Sequence, residues 1–163
     1  MNQKPKSLKS EKKSFIRFVN KTGRDVDVLW LNYEGEPVKY HTISPDIYID
    51  INTYVSHPWI FEDSETRDRR AVRNQLVFYP PDWEKFVNSK AKNLQQDHEI
   101  TPHRIVMMIT LPVYRLRDRC LQVLRDSVNW EENIGLLDQL EFELPKSVLD
   151  DLYVMILKKA HYL

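Results

Sequence analysis

Between Trp30 and Trp59 the chain carries Trp30, Tyr33, Tyr40, Tyr48, Tyr54 and Trp59, with Thr53 and His57 set among them. Indole and phenol rings wall off compact apolar ligands, and a hydroxyl beside an imidazole can hydrogen-bond one polar group on such a ligand. That chemistry is recognition rather than bond making. The plainer reading keeps the aromatics as strand core and His57 as a satisfied turn residue, and the residue types alone leave both open. A hydrolytic set can be drawn from Asp50, Thr53 and His57, but any chain of this size offers such triples, and no nucleophile elbow accompanies this one.

Other chemistries lack their materials. The five histidines (His41, His57, His98, His103, His161) do not fall at ligand spacing with cysteine or carboxylate company, so neither a metal nor a cofactor is expected. Three glycines are too few for a phosphate-cradling loop. Cys120 is the one cysteine, which excludes an internal disulfide and favours a reducing compartment, here cytoplasm and nucleus. Lys and Arg number 24 against 24 Asp and Glu, which removes the electrostatic case for nucleic acid as the main partner. No apolar run reaches the ~18 residues of a membrane span, and the lysine-rich start is not a secretory signal. No membrane role is expected.

The elements that must position these residues follow from texture. At 163 residues and 42% hydrophobic content the chain can bury a core unaided. Residues 1–13 read as a flexible basic tail. Short runs rich in Val, Ile, Tyr, Phe and Trp then predict strands at Phe15–Val19, Val26–Leu31, Val38–Thr42, Ile47–Ile51, Trp59–Phe61, Leu76–Tyr79 and Ile105–Leu111. Their spacing predicts an antiparallel β-sandwich over 14–112, broken by a long loop at about 80–103 with one helical turn. The cluster Arg67, Arg69, Arg70 and Arg73 reads as a solvated loop, and the Asn20-Lys-Thr22 sequon as chance. After Pro112 the period changes. Leu116, Cys120, Val123, Leu124 and Val128 share one helical face, and Val148, Leu149, Leu152, Tyr153, Ile156 and Leu157 share another on a last helix at about 147–160, with packing back on the sandwich left open, in an α+β chain. Residues 113–163 thus form a small α-helical domain. Asp150 and Asp151 near the start of the last helix, and Lys158 and Lys159 near its end, match the helix dipole.

Three stretches carry a resemblance: Trp30-Leu-Asn-Tyr-Glu-Gly-Glu-Pro37 with Tyr40, Asn52-Thr-Tyr-Val-Ser-His-Pro-Trp59, and Thr110-Leu-Pro-Val-Tyr-Arg-Leu-Arg-Asp-Arg-Cys-Leu-Gln-Val123. Together they resemble the von Hippel-Lindau tumour suppressor family over roughly residues 15–128. The resemblance implies a non-catalytic substrate receptor of a cullin-RING ubiquitin ligase that binds 4-hydroxyproline in hypoxia-inducible factor alpha. By that resemblance Trp30, Tyr40 and Trp59 line the proline-ring pocket, Thr53 and His57 bond the hydroxyl, and Asn52 and Tyr54 flank the peptide. The face of Leu116, Arg119, Cys120, Val123 and Leu124 resembles the box that binds elongin C, with elongin B, cullin-2 and a RING-finger subunit following. Thr53 stands where the family usually has serine and Asn52 where it has histidine. The segment 80–112 is longer than the family's, and 134–144 shorter. The rival reading is a stand-alone peptide-binding β-sandwich scaffold without ligase recruitment.

Overall fold

The computed structural model describes residues 4–86, 104–130, 132–133, 135–141 and 143–160. By its internal contacts the chain divides into two units, Met1–Ser64 with Asp68–Pro112, and Glu65–Arg67 with Val113–Leu163.

The first unit holds seven strands: β1 Lys13–Asn20, β2 Val26–Leu31, β3 Pro37–Ile43, β4 Tyr48–Tyr54, β5 Trp59–Asp63, β6 Arg69–Val72 and β7 Ile105–Thr110. They hydrogen-bond in the order β3-β2-β5-β6-β7-β1-β4, so β6 joins one half of the sheet to the other. Period-2 alternation fixes which side chains go inward. Along β1, Ser14, Ile16, Phe18 and Asn20 are buried while Phe15, Arg17 and Val19 are only partly covered. The inward sets of both halves meet in one core, where Phe18 of β1 lies 4.9 Å from Phe61 of β5 and 5.5 Å from Phe78 between ring centroids.

Three details depart from the sequence reading. The pairing is not wholly antiparallel, because β7 runs parallel to β1 with Ile16 opposite Ile105 and Asn20 opposite Ile109. Leu76–Tyr79 forms no strand of its own and contributes a bridge of Phe78 to Trp59. The missing strand is β6, inside the arginine cluster. Arg70 is buried there because its guanidinium donates to the Asp63 carboxylate at 2.6 Å, and Asp63 also meets Arg24 at 3.1 Å, so the charge enters the interior paired.

The sequon is structural. Asn20 donates from Nδ2 to the carbonyls of Arg24 and Ile43, each at 2.8 Å, and its Oδ1 accepts from the amide and hydroxyl of Thr22. Asn20 and Thr22 are both buried, and together they lock the β1–β2 turn. In the long segment, residues 83–86 are helical, and the rest of the predicted loop lies outside the described residues.

The second unit contains α1 Leu116–Ser127, α2 Leu136–Leu140 and α3 Lys146–Lys159. Its core is Leu121, Trp130, Leu137, Leu152 and Ile156. Leu121, outside the predicted apolar face of α1, is the residue that face lacked. The predicted face instead stays largely outward: Leu116, Cys120 and Val123 are exposed and Leu124 is half-buried. Beneath it Arg125 is buried, clasping Asp126, while Trp130 donates its indole N–H to the Arg125 carbonyl at 2.8 Å. On α3, Tyr153 is exposed, unlike its predicted neighbours Leu152 and Ile156. Asp150 and Asp151 fall beyond the first turn of α3, where the dipole has weakened, and Asp151 pairs with Arg117 instead.

Candidate functional site

The aromatic residues converge because of strand register. Trp30 of β2 lies directly opposite Trp59 of β5, so both indoles project from one face of that antiparallel pair. Tyr40 joins them through an irregularity. In the β2–β3 ladder, Val28 pairs with His41 and Leu29 with Lys39, which leaves Tyr40 as the extra residue of a bulge. Bulges re-aim side chains, and the Tyr40 ring stands edge-on to Trp59 with centroids 5.5 Å apart.

Thr53 arrives from the other half of the sheet. Alternation along β4 buries Ile51 and Thr53 and turns Asn52 outward. The Trp59 indole N–H donates to Thr53 Oγ1 at 3.1 Å, which consumes one acceptor site of that oxygen and leaves its own O–H to give. The chain then turns tightly, with the His57 amide donating to the Tyr54 carbonyl at 3.0 Å. This turn sets the imidazole 5.5 Å from the Trp30 ring and 5.1 Å from the Tyr54 ring. Burial holds the His57 pKa below the ordinary histidine value, with the Leu8 carbonyl opposing that shift as an acceptor, so the ring is neutral near pH 7.

The resulting candidate site is a cluster of aromatic rings with a hydroxyl and a neutral imidazole among them. Trp30, Tyr40, Thr53, His57 and Trp59 are brought together, and Tyr54 borders His57. Asn52 is not drawn in: its Oδ1 accepts from Arg104 at 2.9 Å on the outer face, where Arg104 also meets Asp50 at 3.1 Å.

Sequence reasoning missed a second set of residues. The segment read as a flexible tail is laid across the site. Ser7 is only 2% exposed; its amide donates to the Asn32 carbonyl at 3.0 Å and its hydroxyl receives the Trp30 indole N–H at 2.7 Å. Ser10 Oγ lies 3.2 Å from His57 Nε2 and 3.2 Å from the Tyr33 hydroxyl. Further along, the Val55 amide donates to the Lys12 carbonyl, and Ser56 Oγ to the Lys9 carbonyl. Lysine-rich composition hides this, because the lysine side chains can point to water while the backbone and the two serines do the binding. The one sequence signal was the serine pair itself.

Among the described residues no group of three or more His, Cys, Asp or Glu is placed to hold a metal ion, and no helix is long and apolar enough to cross a membrane.

A β domain with this strand order, two facing tryptophans and a hydroxyl–imidazole pair is matched by one family model: residues 6–85 match the VHL beta domain. The match begins at residue 6 and so takes in the segment carrying Ser7 and Ser10. The chain is also 29% identical over 108 residues to Protein Vhl of Drosophila melanogaster, an alignment spanning 66% of this chain and 57% of that relative. Both comparisons support a place in the VHL family.

Proposed function

We propose that this chain is a VHL-type substrate receptor, not itself an enzyme, whose pocket selects 4-hydroxyproline in an extended peptide of hypoxia-inducible factor alpha. The observation that carries this reading is the pairing of Thr53 and His57 at an aromatic recess, with one Thr53 lone pair already engaged by Trp59. A proline ring would pack on Trp30, Tyr40 and Trp59, and its 4-hydroxyl would meet both polar groups. Plain proline would leave both without a partner in a water-poor site, at ~1–3 kcal/mol each. That predicts a preference of roughly 30-fold to 10⁴-fold for the hydroxylated peptide. Thr53 keeps the donor and acceptor of the family's usual serine and adds one methyl.

The helical unit would supply the ligase connection. Leu116 is 81% exposed and Val123 53%, so α1 offers apolar side chains outward, with Cys120 and the rim residue Arg119 beside them and Leu124 partly covered. Such a stripe fits a helix-in-groove partner, which we take to be elongin C, with elongin B, cullin-2 and a RING-finger subunit joining through it. Those subunits, not this chain, would carry out ubiquitin transfer.

The deciding experiment is a calorimetric titration of the full chain, co-expressed with elongins B and C, against paired degradation-segment peptides that differ only in proline or 4-hydroxyproline. A preference of about 30-fold or more is expected. Equal affinity for the two peptides, or no binding, overturns the pocket assignment.

A further inference from the structure

His57 does not reach the pocket on the strength of the sheet alone. Its Nε2 faces Ser10 Oγ at 3.2 Å, and that oxygen in turn faces the Tyr33 hydroxyl at 3.2 Å. The rings of Tyr33 and His57 also meet at right angles, 5.8 Å apart between centroids. Ser10 is thus the middle of a three-member chain, and it comes from a segment outside every strand. That segment is itself fastened: Ser7 is buried under Asn32 and Trp30, and the Leu8 amide donates to the Ser56 carbonyl at 3.3 Å, one residue before the imidazole.

We infer that Ser10 is a positioning residue of the pocket, and that with Tyr33 it fixes the orientation of the His57 imidazole, so that hydroxyproline selection depends on a segment N-terminal to the sheet. A neutral imidazole has one nitrogen that donates and one that accepts, and which is which follows from the partner each nitrogen has. The Ser10 hydroxyl can give or accept and so takes whichever role Nε2 leaves it, while the Leu8 carbonyl, an acceptor only, also meets the ring, and the two hold the imidazole in one orientation. Tyr33 acts one step further out, by limiting the directions in which the Ser10 hydroxyl can point. This rests on the hydroxyproline reading of the pocket.

The test compares Ser10→Ala, Ser10→Thr and Tyr33→Phe with the unaltered full chain in two measurements. The first, made without peptide, is the ¹⁵N chemical shifts of the His57 ring nitrogens, which report the hydrogen bond at Nε2 and which a merely structural role would not move. The second is the affinity ratio for the hydroxyproline and proline peptides. Ser10→Ala is expected to move the His57 Nε2 shift as that nitrogen loses its partner, and to lower the ratio by about 3- to 10-fold through weaker hydroxyproline binding, with proline binding unchanged. Ser10→Thr restores both, and Tyr33→Phe lowers the ratio by a smaller factor. If the unaltered chain distinguishes the peptides and Ser10→Ala distinguishes them equally well, the inference is wrong and the pocket reading stands. A moved spectrum with an unmoved ratio also overturns it. If the unaltered chain shows no preference, the pocket reading fails and takes this inference with it.

Discussion

The indole N–H of Trp30 ends on the hydroxyl of Ser7 at 2.7 Å, so a wall of the aromatic recess is anchored by a residue six positions before the first strand begins. Both groups lie away from bulk water, and neither has a simple substitute. Ser7→Ala is expected to destabilise the first unit by ~1–3 kcal/mol, because the Trp30 donor and the Leu31 carbonyl both lose a partner. Urea unfolding followed by tryptophan fluorescence measures this, and an unchanged midpoint would show that the segment is not fastened as described.

Thr53→Val keeps the side-chain shape and removes the hydroxyl. It leaves the Trp59 indole N–H without its acceptor as well as abolishing the contact to a ligand hydroxyl. The expected result is a loss of hydroxyproline preference of 10-fold or more, from one lost hydrogen bond and its unpaired partner, at roughly 1–3 kcal/mol. Thr53→Ser, which retains the oxygen and removes one methyl, should keep the preference. Equal behaviour of the two variants in the peptide titration would detach Thr53 from selection.

The pH dependence follows from His57. Its folded pKa lies below the ordinary value, chiefly through burial, so the folded state disfavours the imidazolium. The unfolded chain therefore binds the extra proton first, at about pH 6.5. Stability from this group is complete above that pH and is lost as the pH falls through it toward the folded pKa. Thermal unfolding between pH 5 and 8 should show a decline on the acid side that His57→Gln removes. A profile unchanged by that substitution would contradict the placement of the ring.

On the helical unit, two leucines should separate folding from docking. Leu152 is fully buried, and Leu152→Ala is expected to cost 2–5 kcal/mol of stability, seen as a lowered unfolding temperature. Leu116 is 81% exposed, and Leu116→Lys should leave the fold intact while abolishing co-purification with elongin C. Retained co-purification would remove that face from the proposed interface.

Gly35 offers a backbone test of the N-terminal segment. Its φ is +80°, and a Cβ there would stand 2.9 Å from the Pro5 carbonyl oxygen. Gly35→Ala is expected to cost about 1 kcal/mol or more from the left-handed backbone alone, and to raise amide exchange at Ser7 and Leu8 as the segment is pushed away. Unaltered exchange would mean that the segment is not packed against the turn.

What the sequence made legible followed from local pattern. β2 matches its predicted span, Ile16 and Phe18 share the buried face that alternation separates from Phe15, Arg17 and Val19, and the aromatic, hydroxyl and imidazole side chains between Trp30 and Trp59 stood out by type, whereas their grouping as a pocket came from the family resemblance. What it hid were the cases where a partner distant in sequence reverses a residue's usual preference. Arg70 is buried because Asp63 neutralises it, and that carboxylate lies on another strand. Ser7 and Ser10 are ordered because Trp30 and His57 receive them, although the chain around them is mostly lysine and polar. Leu121 was missed because the apolar stripe on α1 has two destinations, one in the helical core and one outward. Periodicity identifies a stripe but not what covers it.

The parallel pairing of β1 with β7 carries a consequence for synthesis. Ile16 must wait for Ile105, so a growing chain holds β1 unclosed on one side until about 90 further residues have left the ribosome. Loop closure over that span is slow, and elongation at ~5–20 residues per second stretches the interval to several seconds. During it, β1 can pair with β4 but exposes its other edge, an open template for stray strands. The nascent protein therefore has a defined window of vulnerability, which closes when residues 105–110 emerge.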